Sequence, residues 1–186
     1  MVDWSHLVLP ALLAAVFVFI ASSVIHMVLQ WHKSEYGKLT NEDEVLAAMR
    51  KGGASPGQYM FPYCGDHKQM ASEEMQRKFR EGPVGMMILR PTGNVQLGPF
   101  LAKWFVYTIV VGLLAGYVAR STLKPGEHYL AVFRVVGTVA WLAYSWQSPA
   151  DSIWKGKPWI ATCRDLVDGL IYGALTAGCF AWLWPR

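Results

Sequence analysis

Ionisable side chains lie inside stretches of this sequence that are otherwise apolar, and these groups are candidates for ion binding or proton transfer. The closing apolar stretch, residues 159–184, carries Asp165 and Asp168 near its start. A charged side chain at membrane depth costs on the order of a few kcal/mol unless it finds a partner or water. Arg134 and His26, in two other apolar stretches, could supply such partners. We therefore predict that these side chains lie together.

The spacing of these residues supports two hypotheses. Folding the last two apolar stretches into a hairpin places Arg134 level with Tyr172 and about one helical turn from Asp168, which predicts an intramembrane pair between Arg134 and Asp168. The same reckoning places His26 near the level of Asp165. In one hypothesis the charges neutralise each other and fix the register of the helices. In the other they form a proton or ion path, because such groups mark pathways when they line a wet cavity.

A second set of candidate ligands lies in the polar part of the chain. Met60, Cys64, His67 and Met70 follow one another at spacings of four, three and three residues. Thioether, thiolate and imidazole groups are soft or borderline ligands, so the set would suit Cu(I). The alternative is structural, since methionine also fills irregular apolar cores and the spacing matches no established metal motif.

Motifs of the common enzyme classes and of nucleic-acid binding are missing from the sequence. It contains no P-loop, no GxGxxG after a strand, no HExxH and no GxSxG. The net charge of +4 comes without a basic run interleaved with aromatic residues. We therefore predict no catalytic residue and no nucleic-acid partner.

The apolar stretches that carry these residues are predicted to be membrane helices. The chain has 53% hydrophobic and 16% charged residues, whereas soluble domains have about 25% charged residues. Stretches of about 20 apolar residues are long enough to cross a bilayer. Four stretches pass this test: 7–30, 100–119, 129–146 and 159–184. With tryptophan and tyrosine at their ends, they predict an all-α membrane protein with a bundle of four transmembrane helices.

Small residues predict where these helices pack closely. Gly112 and Gly116 form a GxxxG step, and Gly169 and Gly173 repeat the spacing in the last stretch. Such steps allow the backbones of two membrane helices to approach each other. We expect all four glycines at contacts between helices.

The polar stretch between the first two apolar stretches predicts a small α/β insert outside the membrane. Capping residues favour helices over Glu42–Lys51 and Glu73–Glu81, and apolar runs favour short strands near Gln58–Phe61 and Val84–Leu89. The predicted organisation is a first transmembrane helix in 1–31, the insert in 32–98, and the remaining three transmembrane helices in 99–186.

Lysine and arginine residues are concentrated beside the insert and in the loop 147–158. The positive-inside rule then predicts that both termini lie outside and that the insert is cytoplasmic, in the inner (plasma) membrane of a bacterium.

By exclusion, the sequence favours a non-catalytic accessory, assembly or scaffold subunit of a larger membrane complex. Its expected partners are the lipid bilayer and either other membrane subunits or further copies of itself. The alternatives are a small proton or ion channel or transporter that uses the intramembrane polar set, and a copper-handling protein that uses the cluster in the insert.

Overall fold

A computed structural model describes residues 2–186 and shows a mostly helical chain, with 69% of residues in helices, and one two-stranded sheet. The chain divides into a helical unit, formed by the residues up to Glu35 together with Gln96–Arg186, and a smaller unit, Tyr36–Val95. The helices and strands follow in this order: α1 (Ser5–Ser23), α2 (Glu42–Lys51), β1 (Gly57–Phe61), α3 (His67–Met70), α4 (Glu73–Glu81), β2 (Gly85–Leu89), α5 (Leu97–Thr122), α6 (Tyr129–Ser145), α7 (Gln147–Lys155) and α8 (Trp159–Trp182).

The four long helices of the helical unit form an antiparallel bundle. Helix α1 packs against α5 and α8, and α6 packs against α5 and α8. Trp4 stacks on Tyr117 with 5.7 Å between ring centroids, and Arg120 Nε donates to the carbonyl of Val2 over 2.9 Å. The start of α1 therefore meets the end of α5. At the same end of the bundle, Trp184 Nε1 donates to the carbonyl of Lys124, just after α5, over 2.9 Å.

The half of the bundle next to this end is filled by apolar side chains, and we call it the apolar half. Its largest fully buried side chain is that of Phe180 in α8. The buried residues of this cluster are Val2, Leu7, Ala11, Val111, Ala115, Ala119, Val132, Val136, Ala140, Ala177, Phe180, Ala181 and Trp184. Between membrane helices the stabilisation comes from close van der Waals packing, because lipid tails are as apolar as the side chains themselves, so the tight packing of this half holds the helices together.

Glycines allow the helices of the bundle to approach closely. The four glycines of the predicted packing steps face neighbouring helices: Gly112 faces Ala11, Gly116 faces Phe180, Gly169 faces Ser145 and Gly173 faces Gly137. A Cβ on Gly173 would lie 3.1 Å from the carbonyl oxygen of Gly137 and 3.1 Å from the backbone nitrogen of Trp141. A side chain at this position would press on the backbone of α6, so α6 and α8 contact each other through their backbones.

Helix α1 continues into irregular turns at its end. Val24–Leu29 is π-helical, and Gln30 follows in the left-handed conformation with φ of 51°. The N–H of Gln30 donates to the carbonyl of Ile25 over 3.1 Å. A 3₁₀ turn, Lys33–Glu35, comes next. These turns leave the ring centroids of His26 and His32 only 4.6 Å apart.

Three helical stretches are long and apolar enough to cross a membrane: Ser5–Leu29, Leu97–Thr122 and Tyr129–Lys155. Helix α8 is not among them, although it has 24 residues. Its first half carries Arg164, Asp165 and Asp168, which lower its hydropathy.

Residues 147–158, which the sequence predicted as a loop, contain a helix. Helix α7 begins directly after α6, with Trp146 between them. Pro149 lies in the first turn of α7, where its missing N–H removes no helical hydrogen bond. The helix ends at Gly156, which has φ of 73° and so adopts a conformation that glycine favours.

The smaller unit consists of short elements around an antiparallel pair of strands. Strands β1 and β2 pair from Gly57 with Leu89 to Phe61 with Gly85. The predicted helices over Glu42–Lys51 and Glu73–Glu81 are confirmed, and α4 is capped by Ser72, whose hydroxyl accepts from the N–H of Met75. Helix α3 was not predicted. Among the described residues of this unit only Met75 is buried.

Candidate functional site

Two histidines and an aspartate meet at the end of the bundle where α1 stops and α8 starts. His32 Nε2 lies 2.9 Å from Asp168 Oδ2, and His26 Nε2 lies 3.7 Å from the same oxygen. Asp168 comes from the third turn of α8, His26 from the π-helical segment, and His32 from the residues just before the 3₁₀ turn. One carboxylate oxygen therefore faces two imidazole rings.

The second nitrogen of His32 faces another carboxylate. His32 Nδ1 lies 2.7 Å from Glu35 Oε1, and the Arg164 guanidinium lies 3.4 Å from that same oxygen. Arg164 also donates to the hydroxyl of Ser34 over 2.9 Å. The side chain of Glu35 is 9% exposed, so this carboxylate is held in place by a ring and a guanidinium. These contacts fix the orientation of the His32 ring.

Asp168 is buried, but only one of its two carboxylate oxygens has a hydrogen-bond partner in the described part of the chain. Its side chain is 6% exposed, and its second oxygen, Oδ1, has no hydrogen-bond partner in the described part of the chain. The hydroxyl of Tyr172, one turn further along α8, also lacks a partner there. Asp168, Tyr172 and His26 line a cavity of about 270 Å³. An unsatisfied buried polar group costs about 1–3 kcal/mol, so a polar ligand in this cavity would be stabilised.

Asp165 belongs to a neighbouring network with its own partners. Ser148 Oγ donates to Asp165 Oδ2 over 2.5 Å, and the Lys157 ammonium binds the same oxygen. Thr162 joins this network through hydrogen bonds to Ser148 and to Ser152. Helix α7 is thereby tied to the start of α8, and the Asp165 carboxylate is neutralised by a cation.

The ligand atoms of these residues form two compact groups. In each group every residue offers one ring nitrogen or carboxylate oxygen, and these three atoms lie within 4.8 Å of one another. The groups are His26, His32 and Asp168, and His32, Glu35 and Asp165. His32 is common to both and so lies at the centre of the site.

An aromatic layer separates the cavity from the apolar half of the bundle. Tyr172 contacts Trp104, with 6.0 Å between ring centroids, and Tyr144, with 5.5 Å between ring centroids. The indole nitrogen of Trp104 donates to Ser22 Oγ over 3.0 Å. Beyond this layer the buried side chains are mostly apolar, with Thr108 and Thr176 as the buried polar residues one turn further along α5 and α8.

The predicted pair between Arg134 and Asp168 does not form. Arg134 is exposed on α6 and, within residues 2–186, takes part in no ion pair. Gly137 packs against Gly173 and Ala177, which places Arg134 roughly two to three helical turns from the level of Asp168. The physical reason is α7, which moves the hairpin between α6 and α8 towards the C-terminus and shifts the register of the two helices.

The sulfur-containing cluster lies in the smaller unit. Met60 is in β1 and is 51% exposed, and Met70 is 45% exposed. Cys64 Sγ donates to the carbonyl of Asp66 over 3.0 Å, and in the described residues no hydrogen bond joins Cys64 to His67. Copper binding at this cluster stays a prediction.

His32 and Glu35 were not among the predicted site residues. The predicted insert began at residue 32, whereas residues 32–35 belong to the helical unit. The signal was present, because His32 and Glu35 are three residues apart and Asp165 and Asp168 repeat that spacing.

Searches of protein-family models, of curated proteins and of solved structures find no match to this chain. Its function is therefore inferred from its residues and their geometry.

Proposed function

We propose that this chain is a polytopic membrane protein in which α8 crosses the bilayer as a fourth span. A helix of 24 residues is about 36 Å long at 1.5 Å per residue, which exceeds the 30 Å apolar thickness of a typical bilayer. The charged residues of α8 occupy its first half, and Asp168 is sheltered by α1. Antiparallel packing against α6 and α1 supports this arrangement.

Four spans put both termini on one side and Tyr36–Val95 on the other. More lysine and arginine residues lie near the helix ends that connect to Tyr36–Val95, and in and after α7, than near the opposite ends of the long helices. The positive-inside rule then supports a cytoplasmic location for the smaller unit in a bacterial plasma membrane.

Within this membrane protein, the polar cavity is a binding site for a cation that enters from the cytoplasmic side. The observation that carries the proposal is the Asp168 carboxylate, which is buried, faces two imidazoles through one oxygen and has no partner for the other. Ionisable groups at membrane depth are rare and mark functional sites by default. Carboxylate oxygens and imidazoles accept protons and metal ions, so the site is suited to positive charge.

The apolar half of the bundle favours a non-conducting role. Among the described residues beyond the aromatic layer, the buried side chains are apolar except for Thr108 and Thr176, whose hydroxyls donate to carbonyls of their own helices. A single chain would therefore bind its cation without passing it across the membrane. This supports the accessory subunit over the channel, with the cation passed to, or sensed for, a partner subunit.

Thiol labelling tests the one-sided cation site. In a chain whose three cysteines are replaced, Ser145→Cys places a thiol on the cavity wall, and Ala140→Cys places one in the apolar half of the same helix. We expect a small impermeant cationic methanethiosulfonate to label Ser145→Cys from the cytoplasmic side only. An anionic reagent of the same size should react at least ten times more slowly, and Ala140→Cys should not react.

The difference between the labelling rates of the cationic and the anionic reagent must depend on Asp168. With Asp168→Asn in the same background, the two reagents should react at similar rates. Absence of labelling at Ser145→Cys, or equal rates for the two reagents in the parent protein, would refute the cation site. In proteoliposomes, a proton current through the parent chain that Asp168→Asn abolishes would refute the non-conducting role.

A further inference from the structure

We propose that the cation is a divalent first-row transition-metal ion of the Zn²⁺ or Fe²⁺ type, bound by His26 Nε2, His32 Nε2 and the carboxylate of Asp168. This inference rests on the proposed cation site and names its ligand. Two imidazoles and one carboxylate suit these metals. Alkali-metal ions and Mg²⁺ prefer oxygen ligands, which the two histidine rings do not supply.

The distances between ligand atoms match a coordination sphere. Bonds of 2.0–2.2 Å to nitrogen or oxygen place neighbouring ligands about 2.9 Å apart in octahedral geometry and about 3.4 Å apart in tetrahedral geometry. Nε2 of His32 lies 2.9 Å from Asp168 Oδ2, and Nε2 of His26 lies 3.7 Å from it. The three residues each offer one ligand atom within 4.8 Å of the other two. A shift of a few tenths of an ångström in the His26 side chain, which is 50% exposed, completes the fit.

The contact behind the His32 ring is one that metal-binding histidines use. A ligating histidine usually donates its other ring N–H to a carboxylate, which fixes the tautomer and the ring orientation. Glu35 occupies this position at 2.7 Å from His32 Nδ1. Arg164, at 3.4 Å from Glu35, holds the carboxylate. Glu35 would thus bind one nitrogen of the His32 ring while the metal binds the other, and Arg164 holds Glu35 in place.

The group of His26, His32 and Asp168 is the better metal site of the two, because the carboxylates of the second group already have cationic partners. Asp165 and Glu35, the carboxylates of the second group, are bound by Lys157 and Arg164. Asp168 has no cationic lysine or arginine partner in the described chain, and its Oδ1 is unpartnered while its residue is only 4% exposed. The cavity of about 270 Å³ at Asp168 leaves room for water or a small anion on the metal.

Metal titration of the full chain tests this inference. The protein is purified in mild detergent with a histidine-free tag, stripped with a chelator and titrated with Co²⁺, whose visible absorption reports nitrogen and oxygen ligands. We expect one equivalent to bind and Zn²⁺ to displace it. Asp168→Asn and His32→Ala should weaken binding about a hundredfold or more. Glu35→Gln should weaken it by about 10–100-fold, and His6→Ala should have no effect.

A measurement on the chain without substitutions tests the metal site even if the variants fail to fold. With ¹⁵N-labelled histidine, Zn²⁺ should shift the ring resonances of His26 and His32 and leave those of His6, His67 and His128 in place. Failure to bind Co²⁺, binding that Asp168→Asn leaves unchanged, or Zn²⁺ shifts at His67 instead would each overturn the metal site. The first two results leave the charge-selective labelling of Ser145→Cys as a separate test of the cation cavity.

Discussion

His32 and Asp168 are 136 residues apart in the sequence, yet Nε2 of the histidine lies 2.9 Å from Oδ2 of the aspartate. The contact joins the irregular end of the first membrane helix to the last helix. With His32 Nδ1 placed on Glu35, the ring has a carboxylate on each side. His32 therefore links the two carboxylates of the site.

Replacing His32 by alanine should destabilise the protein. Glu35 and Asp168 would each lose a hydrogen-bond partner in a buried position, which costs about 1–3 kcal/mol in the free energy of unfolding. Reversible unfolding of the metal-stripped protein in mixed micelles measures this value. His6→Ala, at an exposed position, is the matched control and should change stability by less than about 0.5 kcal/mol. Equal effects of the two variants would contradict the role of His32.

Replacing Gly173 by alanine should push α6 and α8 apart. The new Cβ would lie 3.1 Å from two backbone atoms of α6, so the helices must move, and overpacking of this kind costs about 1–3 kcal/mol. Gly178→Ala in the same helix is the control, because its Cβ would have no neighbour closer than the Tyr129 hydroxyl at 3.9 Å. Both variants gain the same helix propensity, so the difference between their unfolding free energies measures the contact. A difference near zero would refute the close backbone packing.

Replacing Thr162 by valine should loosen α7 from α8. The hydroxyl of Thr162 lies 2.5 Å from Ser152 Oγ and 3.0 Å from Ser148 Oγ, and valine keeps its shape without the hydroxyl. Loss of these buried hydrogen bonds should cost about 1–2 kcal/mol. Thr138→Val, at an exposed position of α6, serves as the control. Amide exchange in α7 should accelerate only in Thr162→Val, and unchanged exchange there would count against the network.

Glu74 in the smaller unit should titrate below the usual range for glutamate. The hydrogen bond from Lys78, whose Nζ lies 2.7 Å from the carboxylate, lowers the pKa of Glu74, and the charge of Lys78 adds to this effect. A lowered pKa means that the pair stabilises the folded state above the ordinary glutamate pKa of 4.5 and stops doing so as the pH falls through the folded-state value. Lys78→Met should raise the pKa of Glu74, measured from the ¹³C shift of its carboxyl group, whereas Lys51→Met should not. An unchanged pKa in Lys78→Met would show that the ion pair does not persist in solution.

Local signals in the sequence were sufficient for much of the secondary structure. Helix α4 has a serine cap, acidic residues in its first turn and a glycine at its end, and these signals act within a few residues. Helix α7 lacked such a signal because Pro149 is as typical of a turn as of a first helical turn.

Contacts between helices that are distant in the sequence were harder to predict. The prediction for Arg134 assumed a hairpin without α7, and the register error moved this residue away from Asp168. Periodicity shows which residues share a face of a helix, but it does not show which face of another helix they meet. His32 was missed for a further reason, because the turns between it and His26 are neither α-helical nor extended, and no periodic pattern describes them.

The π-helical segment Val24–Leu29 makes the histidine pair sensitive to chain length. A π-helical turn holds about one residue more than an α-helical turn. Deleting one residue other than His26 from this segment would shorten the chain between α1 and His32 by one residue and move His32 away from Asp168, while leaving every side chain of the site in the sequence. The distance between His32 and Asp168 therefore depends on the number of residues in one turn. A single-codon deletion in that turn would abolish the site without altering any of its ligands.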